Sequence, residues 1–442
     1  MTGIVERGGA DAQALPRTTS KRRVVAWSFW DWGSAAFNAV VTTFVFTVYI
    51  TGSAFGNKDV VSAQLGWALA IAGLLVAVLA PITGQRSDTS GRRKLWLGVN
   101  TFIVVGLTAA MFFVEASPDF LLLGLVLVAA GNVFFEFASV NYNAMLSQVS
   151  TARTIGKVSG FGWGMGYIGG IVLLLIVYFG FINPDVGLFG VTGENGLAVR
   201  VTMLIAAAWF GLFALPVLFS VPEYHSPAAV RRPRVSFLRS YVVLAQDIRR
   251  LWTTSRHTVY FLIASAIFRD GLAGVFTFGG VLAASVFGFS PGEVIIFAIA
   301  ANVVAGAATI IAGALDDRLG AKPIIVTALI GLIVFGLIVF LLHDGGQIVF
   351  WTAGLALTLF VGPAQSASRT FLARLIPAGR EGEVFGLYAT TGRAVSFLAP
   401  TMFALMVTIS GETYWGILGL MLVLLVGLLL LLPVKANQNQ IG

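Results

Sequence analysis

Six ionisable side chains lie inside otherwise apolar runs of this 442-residue chain. Asp31, Glu136 and Asp270 are acids, and Arg269, Arg369 and Arg393 are bases. A charge at bilayer depth is costly, and the default reading is that it serves function. Three against three predicts mutual neutralisation around a shared cavity. Two kinds of chemistry fit. An acid could bind a proton, release its arginine and so permit a movement of the chain. Alternatively, the pairs could latch or gate one face of the protein. Burial and a nearby cation act on a carboxylate in opposite senses, so either resting state is possible.

Uncharged polar residues accompany the charges. Asn132, Asn141, Tyr142 and Asn143 fall in one apolar run, and Gln365, Ser366 and Ser368 in another. Asn143 and Gln365 are candidate contacts for a polar solute, although helix–helix hydrogen bonding accounts for such residues equally well. Trp30, beside Asp31, could close over a solute or pack against neighbouring helices. The glycine-rich "GFGWGMGYIGG" at 160–170 lacks the Lys-Ser/Thr ending of a phosphate loop. Glycines there let helices approach closely. The three histidines, at 225, 257 and 343, are far apart and there is no cysteine. No metal site, no cofactor and no disulfide is expected. No nucleophile–base set stands out, so an enzyme is not expected.

The elements that must position these residues are membrane spans. The chain is 57% hydrophobic and only 11% charged, with a mean hydropathy of +0.89, against about 25% charged residues in soluble domains. A span needs about 20 apolar residues. Runs of that kind predict twelve helices, near 24–50, 62–83, 95–115, 119–146, 158–182 and 199–221, then 257–288, 291–312, 323–342, 347–375, 384–410 and 413–433. Loops on the side of the amino terminus carry 23 Lys and Arg, against only Lys58 and Arg200 on the other. That bias predicts cytoplasmic termini in a multi-pass protein of the cell membrane. It also accounts for the net charge of +8 without nucleic acid. Asp31 then lies roughly 10 Å inside the cytoplasmic edge, at about 1.5 Å per residue.

The expected organisation is a disordered tail at 1–20 with no cleavable signal peptide, a six-helix bundle at 21–221, a linker at 222–256, a second six-helix bundle at 257–433 and a tail at 434–442. In the linker, Leu238, Tyr241, Val242, Ala245, Ile248 and Trp252 recur at helical spacing. This predicts an amphipathic helix, lying either on the inner leaflet or against the protein.

An internal repeat divides the chain in two. "GQRSDTSGRRK" at 84–94 resembles "GALDDRLGAKP" at 313–323 at an offset of 229. Leu146, Gly160 and Gly166 align with Leu372, Gly386 and Gly392 at an offset of 226, and Asp31 aligns with Asp270 at 239. Two parallel repeats of six spans describe the major facilitator architecture. The first loop resembles that superfamily's signature, through Gly84, Asp88, Gly91, Arg92 and Arg93, with Thr89 in place of the usual arginine. The second copy keeps Asp317 and Arg318. The resemblance implies a cytoplasmic gate at these loops. In such an architecture the first and seventh spans approach each other. Asp31–Arg269 is then one expected pair, and Glu136 with Arg369 or Arg393 another.

Four further motifs resemble the vacuole-effluxer-like branch of the superfamily. They are "WSFWDWGSAAF" at 27–37, "FRDG" at 268–271 with "FTFGG" at 276–280, "GPAQSASRTFLARLIP" at 362–377, and "FGLY" at 385–388 with "GRAVSFLAP" at 392–400. The resemblance implies a fold of twelve transmembrane helices in two pseudo-symmetric bundles. It also implies a secondary transporter that works by alternating access. Its yeast member is associated with amino-acid efflux. The expected partners are a small-molecule solute, protons and the lipid bilayer, with the chain acting as a monomer. The alternatives are an exporter of amphipathic drugs or lipids, and a membrane sensor or scaffold that does not transport.

Overall fold

A computed structural model describes residues 20–90, 92–150, 155–222, 242, 245–246, 249, 251–253, 255–375 and 381–435. Within 80–90, 155–160, 313–318 and 381–389 many side chains lie outside that description, as do those of Gly84, Asp88, Asp317 and Arg318. Gly91 and most of the predicted linker helix also lie outside it. Of that helix, Leu251 is buried and Trp252 packs edge-on against Tyr260.

The described residues form helices at each predicted span. They are α1 (Lys21–Ile50), α2 (Lys58–Ser90), α3 (Arg93–Ala110), α4 (Leu121–Val149), α5 (Ile155–Val177) and α6 (Leu197–Ser220). Then follow α7 (Arg256–Ser285), α8 (Pro291–Leu319), α9 (Ala321–Leu341), α10 (Leu355–Leu375) and α12 (Trp415–Leu431). The eleventh span was expected as one helix over 384–410, but it is in two pieces, α11a (Glu381–Ala394) and α11b (Leu398–Ser410). Pro400 accounts for the break. A proline cannot donate to the carbonyl four residues back and collides with it. The turn before Pro400 is accordingly wound on shorter bonds, from Ser396 N to Arg393 O and from Leu398 N to Val395 O. Among the described residues, eleven helical stretches are long and apolar enough to cross a membrane, Thr390–Ser410 being taken across the break, and α12 is a shorter apolar helix.

The first six spans pack together: α1 on α5 and α6, and α4 on α2 and α3. The last six do likewise: α7 on α11 and α12, and α10 on α8 and α9. Outward faces are apolar, as lipid requires; Phe219 is 81% exposed. A basic residue at the start of each half's third helix caps the end of its sixth. Lys94 Nζ donates to Val221 O at 3.2 Å, and Lys322 Nζ donates to Leu432 O and Val434 O at 2.7 Å. A cation suits a helix carboxyl end, where carbonyls lack partners. The repeated loop therefore does the same structural work twice.

The halves meet where α2 packs on α11, α5 on α8, and the far end of α1 on α7. At that far end, away from the termini, Gly280 of α7 lies against the Thr43 carbonyl with no room for a side chain. Asp59 Oδ1 accepts from Thr413 N and Oγ1, at 2.8 and 2.6 Å, and Trp67 Nε1 donates to Thr408 Oγ1. These contacts bind the two halves together at the end opposite the termini. Within α1, Ala36–Phe44 is π-wound. Thr42 and Thr43 both donate to the Asn38 carbonyl, at 2.9 and 2.7 Å, and so satisfy a group that the wider winding displaces.

Candidate functional site

Five of the six charges, Asp31, Glu136, Arg269, Arg369 and Arg393, form one electrostatically linked layer across the halves, while Asp270 turns into its own half. Asp31 accepts a hydrogen bond from the Tyr142 hydroxyl of α4 at 2.8 Å. Tyr142 lies between Trp27 and Trp30, with ring centroids 4.4 and 4.3 Å away. Trp27 Nε1 also donates to the Tyr142 carbonyl. The carboxylate has room because α5 presents Gly162, where a Cβ would stand 2.9 Å from Asp31 Oδ2. The glycines of 160–170 thus act as expected. Gly162, Gly166 and Gly169 form the face on which α1 rests.

Glu136 pairs with Arg393. Nε lies 3.1 Å from Oε2, and Arg393 Nη2 donates to Ser139 Oγ. This is one of the two expected Glu136 pairings, and it joins α4 of the first half to α11a of the second. Arg369 lies 4.8 Å over the Trp163 ring and within electrostatic reach of Asp31, Tyr167 and Arg269.

The expected Asp31–Arg269 pair is corrected. Arg269 lies 4.0 Å over the Tyr388 ring and donates from Nη1 to the Tyr388 carbonyl. The Tyr388 hydroxyl shares a hydrogen bond with Ser368. Arg269 and Asp270 are neighbours on a helix and point about 100° apart. Arg269 therefore grips α11a while Asp270 turns to α11b, whose Ala399 N donates to its Oδ2 at 2.6 Å.

Asp31 and Asp270 are counterparts in the repeat, yet they bond differently. Each faces the fifth span of its own half. α5 is unbroken at that level and has no free N–H to offer, so Asp31 takes a phenol. α11 is interrupted ahead of Pro400, so Asp270 takes a backbone donor.

Trp30 is also corrected as a solute contact. It is buried among α3, α4 and α6, donating from Nε1 to Thr101, stacking on Phe135 and meeting Phe210 edge-on. Asn143 is exposed, and its amide donates to Ser139. Gln365 is half-buried on α10. Arg92 and Arg93 begin α3, beside the Lys94 cap.

Sequence reasoning missed Asn38. It is exposed in mid-span, seven residues beyond Asp31 and therefore on the same helical stripe. Ala35 and Ala39 next to that stripe meet Gly170 of α5, and Phe37 meets Gly131 of α4. The stripe therefore looks out between α4 and α5, toward the second half. Its seven-residue spacing to Asp31 was the available signal.

A family model described as "Vacuole effluxer Atg22 like" matches residues 47–441. The chain belongs to this family, a branch of the major facilitator superfamily. The opening motif at 27–37 lies ahead of the matched residues. An uncharacterised MFS-type transporter of Bacillus subtilis, YxiO, is 27% identical over 92% of this chain and 93% of its own length. The autophagy-related protein 22 of Cryptococcus neoformans is 25% identical over 65% of this chain. The chain spans about half the length of that fungal relative (51%). Among solved structures, the inward-open xylose transporter XylE of E. coli aligns with a TM-score of 0.63 at 15% identity, covering 95% of this chain and 96% of its own. The nucleoside transporter NupG aligns at 0.58 and 14%, covering 93% and 98%. At such identities the likeness shows the fold.

Proposed function

We propose that this chain is a secondary active transporter that moves a small polar solute by alternating access, coupled to protons. The observation that carries this reading is the Glu136–Arg393 pair. It bridges the two halves within the layer that also holds Asp31 and Arg369, so a rocking motion must break it. Protonation of Glu136 would remove the attraction that holds Arg393. Asp31, Arg369 and the nearby amides offer both signs of charge to a solute, which suits amino acids and similar zwitterionic metabolites. Asn38, Asn143 and Gln365 are the proposed neutral contacts. Efflux is the proposed direction, supported by the description of the family. The loops at 84–94 and 313–323 form the gate at the termini-bearing end in this reading. The linker at 222–256 joins the two bundles. The Lys and Arg bias supports a cell-membrane protein with both termini cytoplasmic; the proposed working unit is a monomer.

One observation favours a second reading, export of an amphipathic compound. A cavity of about 60 Å³ among α7, α8, α9, α10 and α12 is lined by Phe276, Phe297, Phe350 and other apolar side chains, with Phe44 of α1 at its wall.

The test is reconstitution into proteoliposomes under an imposed pH gradient, with pooled amino acids outside and a pH-sensitive dye inside. Solute-dependent proton movement that falls at least tenfold in E136Q is the expected result. Solute flux indifferent to both the gradient and E136Q would refute coupling. Movement of a lipid probe alone would favour the second reading.

A further inference from the structure

We propose that Asp270 is a positioning residue. It caps α11b from across the bundle and makes residues 395–397 a hinge, on which α11a carries Arg393 toward or away from Glu136. Four observations lead to this assignment. Pro400 interrupts α11 and leaves the amino end of α11b short of acceptors, as every helix start is. The Asp270 carboxylate supplies one to Ala399 N at 2.6 Å, in a site where the residue is only 7% exposed. The adjacent Arg269 holds the other piece, through the ring and carbonyl of Tyr388 and against Gly392. Finally, α2 touches the break itself. Gly73 lies against Ser396 and Phe397 backbone atoms, and Ser396 Oγ contacts the Gly73 carbonyl at 3.4 Å.

One dipeptide of α7 therefore straddles the joint, and one glycine of α2 supports its pivot. Arg393, in the last turn before the joint, carries the ion pair to the other half. Where α11a stands relative to α11b decides whether that pair closes. Asp270 acts through this geometry and not through contact with the solute. The hinge does not depend on what the chain transports. Its part in the transport cycle rests on the reading of Glu136–Arg393 given above.

The absence of cysteine allows unique labelling pairs. Val99 on α3, Ala394 at the end of α11a and Ile409 on α11b are all exposed. Spin labels at 99 and 394 report α11a, and labels at 99 and 409 report α11b. In D270L the 99–394 distance distribution is expected to shift and broaden while 99–409 holds. D270N keeps an oxygen acceptor and is expected to leave both distributions in place, since Asn caps helices about as well as Asp. P400A lets the helix wind through and removes the joint, so D270L in a P400A background is expected to show the same narrow 99–394 distribution as P400A alone. The proposal is overturned if both distributions move together in D270L, if neither moves, or if D270N behaves like D270L. It is also overturned if D270N leaves both distances unchanged but abolishes proton-driven flux, because Asp270 would then be a proton-binding group. Absence of any proton-driven flux in the unaltered chain would sink the transport reading and leave the distance result standing.

Discussion

Arg393 and Glu136 sit 257 residues apart in the chain, yet their side chains meet at 3.1 Å between the two halves of the molecule. Arg393 is 11% exposed and Glu136 31%. Removing one partner of a buried pair costs about 3–5 kcal/mol because the other charge is stranded. R393Q strands the partly exposed Glu136, which places it at or below the low end of that range, while E136Q strands the more buried Arg393 and costs more. R393Q and E136Q are each expected to lower the melting temperature in detergent. The double variant is expected to fall by less than the sum of the two. Strict additivity would show that the pair contributes no coupling.

Tyr142 is the hydroxyl partner of Asp31, and its ring is held by two tryptophans. Y142F keeps the ring and removes only the donor. Leaving a fully buried acceptor unpaired costs about 1–3 kcal/mol; Asp31 is half-buried, so Y142F is expected to melt earlier than the unaltered chain by an amount at the low end of that range. W30F also takes away the Thr101 hydrogen bond and should melt earlier too, with apparent affinity for any transported solute unchanged. A weaker apparent affinity in W30F would return Trp30 to the solute site.

Gly280 lets α7 approach the Thr43 carbonyl, and Asn38 lies just inside that crossing. G280A needs space that the backbone of α1 occupies. The variant is expected to open the far end. An Asn38→Cys reporter should then react with a membrane-impermeant thiol reagent supplied from the side of loop 51–57, and should react slowly from that side when Gly280 is kept. Equal reactivity in the two backgrounds would show that this crossing does not close the cleft.

The Lys and Arg bias makes a prediction about topology. Asn57→Cys, in the loop between α1 and α2, should be labelled from outside intact cells. Ser20→Cys, ahead of α1, should be labelled only after permeabilisation. The reverse pattern would invert the proposed orientation.

The span count, the two-half arrangement and the set of six charges were legible in the sequence. They depend on local quantities: runs of apolar residues, loop charge and short repeated motifs. The bilayer converts these directly into structure, because a backbone crossing hydrocarbon must satisfy its own hydrogen bonds and so must be helical. The repeat also located the acids at equivalent places in the two halves. One pairing, Glu136 with Arg393, was among the alternatives that the residues allowed.

The remaining pairings were settled by tertiary structure, because a partner is chosen by the direction of a side chain and by what stands opposite. Arg269 turned from Asp31 to the ring of Tyr388 because its bearing on α7 faces α11a. Asp31 and Asp270 share a motif position but not a partner, because one faces an intact helix and the other a helix interrupted ahead of Pro400. Trp30 could be read as a lid or as core until α3, α4 and α6 were seen to enclose it. Sequence by itself determined that charges would lie within the membrane and in which spans. Only the packing of twelve helices decided which of them touch, since each contact depends on the rotation and approach of two elements far apart in the chain.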